Sequence, residues 1–339
     1  MERCPGKRGL RFRNPVAILE TAGVAGKKEG QGPLGTLFDR IREDEYFGGK
    51  NWEDAESNLQ RETLGILLQK CGVRAEDVGM LFAGDLLGQS VASSFGLKEY
   101  GIPQFGVYGA CSTCAETLIL DAMAVDGGYV DLAACVTSSH FASAEKEFRF
   151  PLEYGNQRPL SATWTVTGSG AFLLGRDLHA AKAKICGGTI GRITDYGIRD
   201  SMNMGACMAP AAADTILNHF QEWKRGPEDY DKIITGDLGS IGKRALLDLL
   251  KERGYDISDR HLDCGMLIYE DNEQDTHAGG SGCGCCAVTL ASYIIGRLSE
   301  KIWQRILFLP TGALLSKTSF NEGSSIPAIC HGLVLEAAD

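Results

Sequence analysis

The chain has 339 residues, 44% hydrophobic and 23% charged, with 43 glycines, a composition that describes a packed globular protein rich in tight turns rather than a disordered one. Its formal net charge of −10 argues against a nucleic-acid partner, because phosphate backbones are bound by clustered Lys and Arg, and the one basic stretch, Arg3 to Arg13, reads as a short solvated tail. The length exceeds the ~250–300 residues that one core usually serves, which predicts two intimately packed halves.

Patterning predicts strands at 16–22, 79–84, 104–109, 131–137 and 163–174, with helices at 52–70 and 111–126. The first helix puts Trp52, Ala55, Leu59, Thr63, Ile66 and Leu67 on one stripe and stops at Cys71-Gly72. The second half repeats the scheme, with strands at 184–193, 232–236, 263–269, 305–309 and 328–335 and helices at 210–224, 240–253 and 284–299. Pro210 suits a first helical turn, Gly226-Pro227 ends that helix, and Ser240 can cap the next. Such βαβα order implies a mostly parallel sheet between helices, occurring twice, divided here into residues 1–177 and 178–339. Glycine-rich turns at 168–170 and 279–286 lie near strand ends, where ligands of α/β sheets gather, so one site shared between the halves is expected.

The segment VYGACSTCAETL (107–118) runs from a strand through a small-residue turn to Cys111, where a helix begins. Unpaired N–H groups and the positive end of a helix dipole lower a thiol's pKa and favour an anion beside it. Cys111 is therefore read as a nucleophile or as one wall of an anion pocket, with a buried small hydrophobe as the plain alternative. Asp85 and Asp237 follow strands at related places in the two halves. Two acids near one anion would repel it unless protonated, bridged by a cation or turned to backbone donors, and turn-forming bonds are their simpler role. The segment 140–158 sets His140, Lys146, Arg149 and Arg158 among aromatic residues, and the rigid Arg fork suits carboxylates.

Twelve cysteines and an N-terminus, MERCPGKRGL, with charge where an export signal needs an apolar core, predict an intracellular protein with free thiols. Residues 278–296 carry no charge, but their first half is glycine loop, so a buried core helix is expected rather than a membrane span. Cys111, Cys114, Cys283, Cys285 and Cys286 could gather thiolates, yet C-x-C-C is not a usual zinc or iron–sulfur spacing and no His set accompanies it; neither a metal nor a cofactor is expected.

The repeated α/β pattern, GACST around Cys111, TVTGSGAFLLG (165–175) and the glycine loop before a late helix resemble the thiolase fold, and ketoacyl synthase III enzymes within it. That resemblance implies two pseudo-repeated βαβαβαββ halves packed as a five-layered αβαβα core, and a homodimer formed through the later part of the first half, an alternative role for Arg149 and Arg158. A narrower likeness lies in EGQGPLGTLFDRIREDEYFG (29–48), FRFPLEYGNQRP (148–159), ITGDLGSIG (234–242), AGGSGCGC (278–285) and TGALLSKTSFNEGSSIPAICHG (311–332), which resemble the stage V sporulation protein AD family.

This likeness implies a component that binds dipicolinic acid, the pyridine dicarboxylate of bacterial endospores, during uptake and release, peripheral to the spore inner membrane and beside integral membrane partners. A Ca2+ chelate of the ligand would reconcile it with Asp85 and Asp237. In the ketoacyl synthase III pattern a His and an Asn join the Cys as donors to the oxyanion. Here Thr235-Gly236-Asp237-Leu238 stands where the His is expected and Gly280-Ser281-Gly282 where the Asn is, with Ser281 the nearest equivalent. An ionised carboxylate cannot donate. The likeness thus implies a binding site made of Cys111, Asp85, His140, Arg149, Arg158, Asp237 and Ser281 without condensing activity; the alternative is an acyltransferase with Cys111 as nucleophile and a displaced histidine, His277 or His331, assisting.

Overall fold

The computed structural model describes residues 6–148 and 158–338. Ten strands build the main sheet: β1 Gly9–Gly26, β2 Met80–Gly84, β3 Gln104–Gly106, β4 Leu132–Ser139, β5 Gly168–Gly175, β6 Ala183–Thr189, β7 Lys232–Thr235, β8 His261–Asp263, β9 Arg305–Leu309 and β10 Gly332–Ala337. Their order is β8-β7-β9-β10-β6-β1-β5-β4-β2-β3, with Arg40–Arg42 added beside the end of β1. Outward from the antiparallel β1–β6 seam, the halves carry the same arrangement, β1-β5-β4-β2-β3 and β6-β10-β9-β7-β8. In each, the outer three strands run parallel, and the strand next to the seam is antiparallel to both neighbours. Parallel neighbours need crossovers, and helices supply them.

Period-two alternation sorts the strand side chains into layers. Ala133, Cys135, Phe172 and Leu174 of one half and Ile306, Phe308, Leu333 and Leu335 of the other face a shared central cluster, which also holds the Thr113–Gly127 and Cys283–Thr289 helices. Their neighbours Ala134, Val136, Ala171 and Leu173 face outward onto the Trp52–Cys71 helix, through Leu64, Leu67 and Leu68. Leu307, Leu309 and Val334 do the same onto the Met204–Trp223 and Gly239–Lys251 helices, through Ile216, Phe220, Leu246 and Leu250. The result is the αβαβα order that the resemblance implies.

Local chemistry explains where the elements depart from the expected pattern. The Trp52–Cys71 helix matches it, capped by Asn51 Oδ1 accepting from Asp54 N at 2.8 Å and ended by left-handed Gly72. The Met204–Trp223 helix begins six residues earlier than expected, because Asn203 caps it and leaves Pro210 in the interior. Residues 263–269 are not a strand. After β8 the chain turns into the Cys264–Ile268 helix, because Asp263 points back to accept from Leu238 N (2.9 Å) and Gly239 N (3.1 Å). Those two bonds also start the Gly239–Lys251 helix, so Ser240 lies inside it and does not cap it. The 163–174 run divides into β5 and the short pair Trp164–Thr165 with Gly280–Ser281, a ribbon that matters for the site. The helix expected at 284–299 is interrupted by a π turn at Leu290–Ile294. The Phe141–Phe148 helix was not anticipated by the patterning.

All eleven cysteines of the described residues are unpaired, and among those residues no helix is long and apolar enough to cross a membrane. Where the central helix layer meets β4 and β5, a Cβ on Gly284 would stand 2.2 Å from Gly168 O and 2.5 Å from Ser139 N, backbone atoms that no rotamer change can move. Gly284→Ala should destabilise the protein by about 1–3 kcal/mol or more, read as a lowered urea midpoint; an unchanged midpoint would contradict this packing.

Candidate functional site

Cys111 sits two residues before the Thr113–Gly127 helix, presented by Ala110, whose φ of +52° is a left-handed conformation uncommon outside glycine. The turn is locked by its own groups. Ser112 N donates to Gly109 O (3.1 Å), Thr113 N to Ala110 O (3.2 Å), and the Thr113 hydroxyl accepts from Gly109 N (3.0 Å) while donating to Ala110 O (2.6 Å). These bonds occupy the N–H groups of Gly109, Ser112 and Thr113, which are therefore not free for an anion.

The electrostatics of the thiol also reverse the expectation. Burial first, and then the neighbouring Asp237 carboxylate, push the Cys111 pKa well above its ordinary value, outweighing the Gly282 N–H that favours the thiolate. Burial and the nearby Asp237 thus both favour the protonated thiol. Asp237 further accepts from Gly282 N (2.9 Å) and the Thr311 hydroxyl (2.9 Å), and burial raises its pKa to about 7 in spite of these donors. The cavity above the sulfur is small, about 30 Å3. Leu86, Met204, Ala313 and Leu315 line its apolar side and Glu145, Thr165 and Ser281 its polar side. Among the described residues, no Lys, Arg, His or Asn lines it.

The structure thus brings together Cys111, Asp237 and Ser281, and places Asp85, His140 and Arg158 elsewhere. Asp85 closes a turn: its fully buried carboxylate accepts from Leu87 N (2.9 Å), Ser93 N (2.8 Å) and the Ser93 hydroxyl (2.6 Å), which leaves it facing neither cavity. Behind it Glu56, held by Ser138 (2.9 Å) and Ser143 (2.5 Å), is pushed up to about 8 by burial and then by Asp85. His331 accepts from Gly191 N (3.1 Å) and faces Glu116, and His277 is engaged by Pro159 O (2.9 Å) and Asp275 (3.0 Å), so neither histidine lines the Cys111 cavity. Arg149 lies outside the described residues.

His140 belongs instead to a second cavity of about 270 Å3, lined by Lys27, Lys28, Glu29, Phe47, Trp52, Phe141 and Trp164 among others. Its Nε2–H donates to Glu45 O (2.8 Å), its Nδ1 accepts from Ala142 N (3.2 Å), and burial lowers its pKa, so the ring is neutral. Trp164 stacks on Phe141 with centroids 4.0 Å apart and 8° between planes. Two cations also lie over the Trp164 ring, Lys28 Nζ at 4.3 Å and the Arg158 guanidinium at 4.8 Å from its centroid. Arg158 also donates to the carbonyl (2.8 Å) and carboxylate (3.1 Å) of Asp275. Glu29 is sealed below, bonded to Thr167 N (3.0 Å) and the Tyr269 hydroxyl, its pKa raised by burial.

A family model described as stage V sporulation protein AD matches residues 6–336. Over 333 residues the chain is 43% identical to Stage V sporulation protein AD of Bacillus subtilis (strain 168), covering 98% of both chains. The chain belongs to the stage V sporulation protein AD family. Among solved structures it resembles OleA of Xanthomonas campestris with cerulenin bound, at TM-score 0.60 and 16% identity over 96% of this chain and 97% of that one. A substituted OleA aligns with TM-score 0.62 at 14% identity, covering 96% and 98%. At such identity the likeness shows the fold, which is thiolase-like.

For this member of the stage V sporulation protein AD family, the patterning placed Trp52 only on a helix stripe and did not single out Lys28, Glu29 or Trp164. The signal was present in part, since Glu29 opens the first family-like stretch and Trp164 immediately precedes TVTGSGAFLLG. Asp237 also carries a pH signature. An acid raised from 3.8 to about 7 holds a proton that the unfolded chain releases, so its contribution to stability is lost as pH rises through that window. Asp237→Asn should therefore gain on the parent protein by up to about 1 kcal/mol per pH unit between pH 4 and 7, measured by urea unfolding. A difference independent of pH would show that Asp237 is not raised.

Proposed function

We propose that this chain is a dipicolinate-binding component of the spore's uptake and release machinery, held at the inner membrane by integral partners, and that it does not condense acyl groups. The observation that carries the reading is the surroundings of Cys111: burial and Asp237 favour the protonated thiol, and among the described residues no imidazole or carboxamide lines its cavity of about 30 Å3. Nucleophilic attack needs a thiolate, and an acyl oxyanion needs donors, so neither half of condensing chemistry is supported there. Family membership supports the sporulation role, and dipicolinate is the ligand that the family likeness implies. The homodimer reading is supported by the sheet edge at β3, where Phe105 and Tyr108 are 56% and 46% exposed beside unpaired backbone.

Calorimetric titration should show dipicolinate binding at sub-millimolar concentration, and intact-mass spectrometry after incubation with acyl-CoA should find Cys111 unmodified. A folded protein that gives no heat at millimolar dipicolinate would overturn the binding reading. An acyl adduct on Cys111, followed by turnover, would replace it with acyl transfer.

A further inference from the structure

We propose that Glu56 is a proton-operated catch: its carboxyl hydrogen, donated to the Ser143 hydroxyl, which in turn donates to His140 O, fastens the first turn of the Phe141–Phe148 helix to the Trp52–Cys71 helix, and alkaline pH releases it. The proposal concerns regulation and does not depend on which ligand the protein takes.

Hydrogen counting places the proton. Ser143 Oγ stands 2.5 Å from Glu56 Oε2 and 3.1 Å from His140 O, two acceptors for a single hydroxyl hydrogen if Glu56 is ionised. A protonated Oε2 closes the count, because it donates to Ser143 and leaves the Ser143 hydrogen to His140 O. The other carboxyl oxygen is served separately. Gln60 Nε2 shares its hydrogens among Gly84 O (3.0 Å), Ser93 Oγ (3.1 Å) and Ser138 Oγ (2.9 Å), which turns both serine hydrogens toward acids. Ser93 then donates to Asp85 Oδ2 (2.6 Å) and Ser138 to Glu56 Oε1 (2.9 Å).

The two acids are unequal. Asp85 also accepts from Leu87 N (2.9 Å) and Ser93 N (2.8 Å), and fixed N–H donors favour an anion. Glu56 is fully buried among hydroxyls, and the charges that bear on it most, Asp85 and then Glu53, are both negative, so burial first and repulsion second push it up to about 8. The remaining titratable groups around it change charge elsewhere on the pH scale. Glu53, bonded to Lys146 (2.6 Å), is held below its ordinary range and raises that lysine in return. Burial lowers His140, and it pushes the Cys283 thiol, which donates to Ser138 O (2.9 Å), far up. Glu145 turns away to accept from Thr165 (3.0 Å). The stability that the Glu56 proton contributes is whole below pH 4.5 and is lost as pH climbs from there to about 8; the catch opens at the upper end of that window.

Ionisation has a mechanical result. The Ser143 hydrogen turns to Glu56, His140 O is left with Ala144 N (3.0 Å), and two negative charges face each other in a dry interior. The helix springs from His140 and borders both cavities, with Phe141 and Ala142 on the larger and Glu145 on the smaller. Opening the catch therefore loosens the wall between them.

The test follows hydrogen–deuterium exchange of the full-length protein by mass spectrometry from about pH 6 to about pH 9, on peptides covering 141–148, with the Gly239–Lys251 helix as reference. Glu56→Gln offers Ser143 a donor and Ser138 an acceptor at every pH, and Ser143→Ala cuts the relay; thermal unfolding verifies that both fold. Dividing the parent's rate by that of Glu56→Gln at the same pH cancels the intrinsic base catalysis of exchange. The ratio is expected near one at about pH 6 and about ten or more at about pH 9, half-changed near pH 8, with Ser143→Ala exchanging fast at both ends. A ratio that stays near one, a step shared by the reference helix, or a Ser143→Ala variant that keeps the parent's profile overturns the catch. Should Glu56→Gln not fold, the parent's step relative to the reference helix decides: its loss in Ser143→Ala supports the catch, and its absence from the parent overturns it.

Discussion

The Asp237 carboxylate is the point on which the centre of this molecule depends. It ties the Cys111 turn of the first half to Gly282 and Thr311 of the second, through a thiol, a backbone N–H and a hydroxyl. A buried carboxyl with that many donors is far less costly than an unpaired one, and removing any donor leaves a desolvated oxygen exposed to nothing polar. The same surroundings disfavour the thiolate at Cys111. An acid beside a buried sulfur raises the cost of a thiolate, which is the reverse of what an imidazolium would do.

A second buried acid cluster lies behind the first. Asp85, after β2, holds the chain at Leu87 and Ser93, and Glu56 is fixed by Ser138 and Ser143. Related strand ends in the two halves therefore each place an acid in the interior, and both acids are spent on holding the fold. Among the described residues, the lining of the Cys111 cavity carries the acid Glu145 and no basic side chain.

Much of this was legible in the chain. Alternating apolar runs mark the main strands, and the strand-to-turn passages at Cys111 and Asp237 place both at the shared site because α/β ligands and turns meet at strand ends. Other features were hidden by physics that one-dimensional patterning does not carry. Asp263 caps a helix 25 residues earlier in the chain, so neither the helix start nor the end of β8 was visible. Lys28, Trp164 and Gln274 meet across more than a hundred residues. The sign of the Cys111 shift depended on burial and on Asp237 outweighing the local N–H groups, a balance that only three-dimensional placement decides.

The two cavities are also linked in construction. Successive residues of the short strand Trp164–Thr165 point to opposite sides, so Trp164 lines the larger cavity and Thr165 the smaller. The Phe141–Phe148 helix divides its residues in the same way, with Phe141 and Ala142 on the aromatic side and Glu145, bonded to Thr165, on the cysteine side. One partition thus serves both spaces. Thr165 and Glu145, bonded to each other, border the cavity above Cys111, while Trp164, stacked on Phe141, borders the opposite space. A residue change on one face of this partition is constrained by the other, because both faces share a backbone that is paired to Gly280 and Ser281. The loss of room at the cysteine and the aromatic space beyond it are two sides of a single structural element.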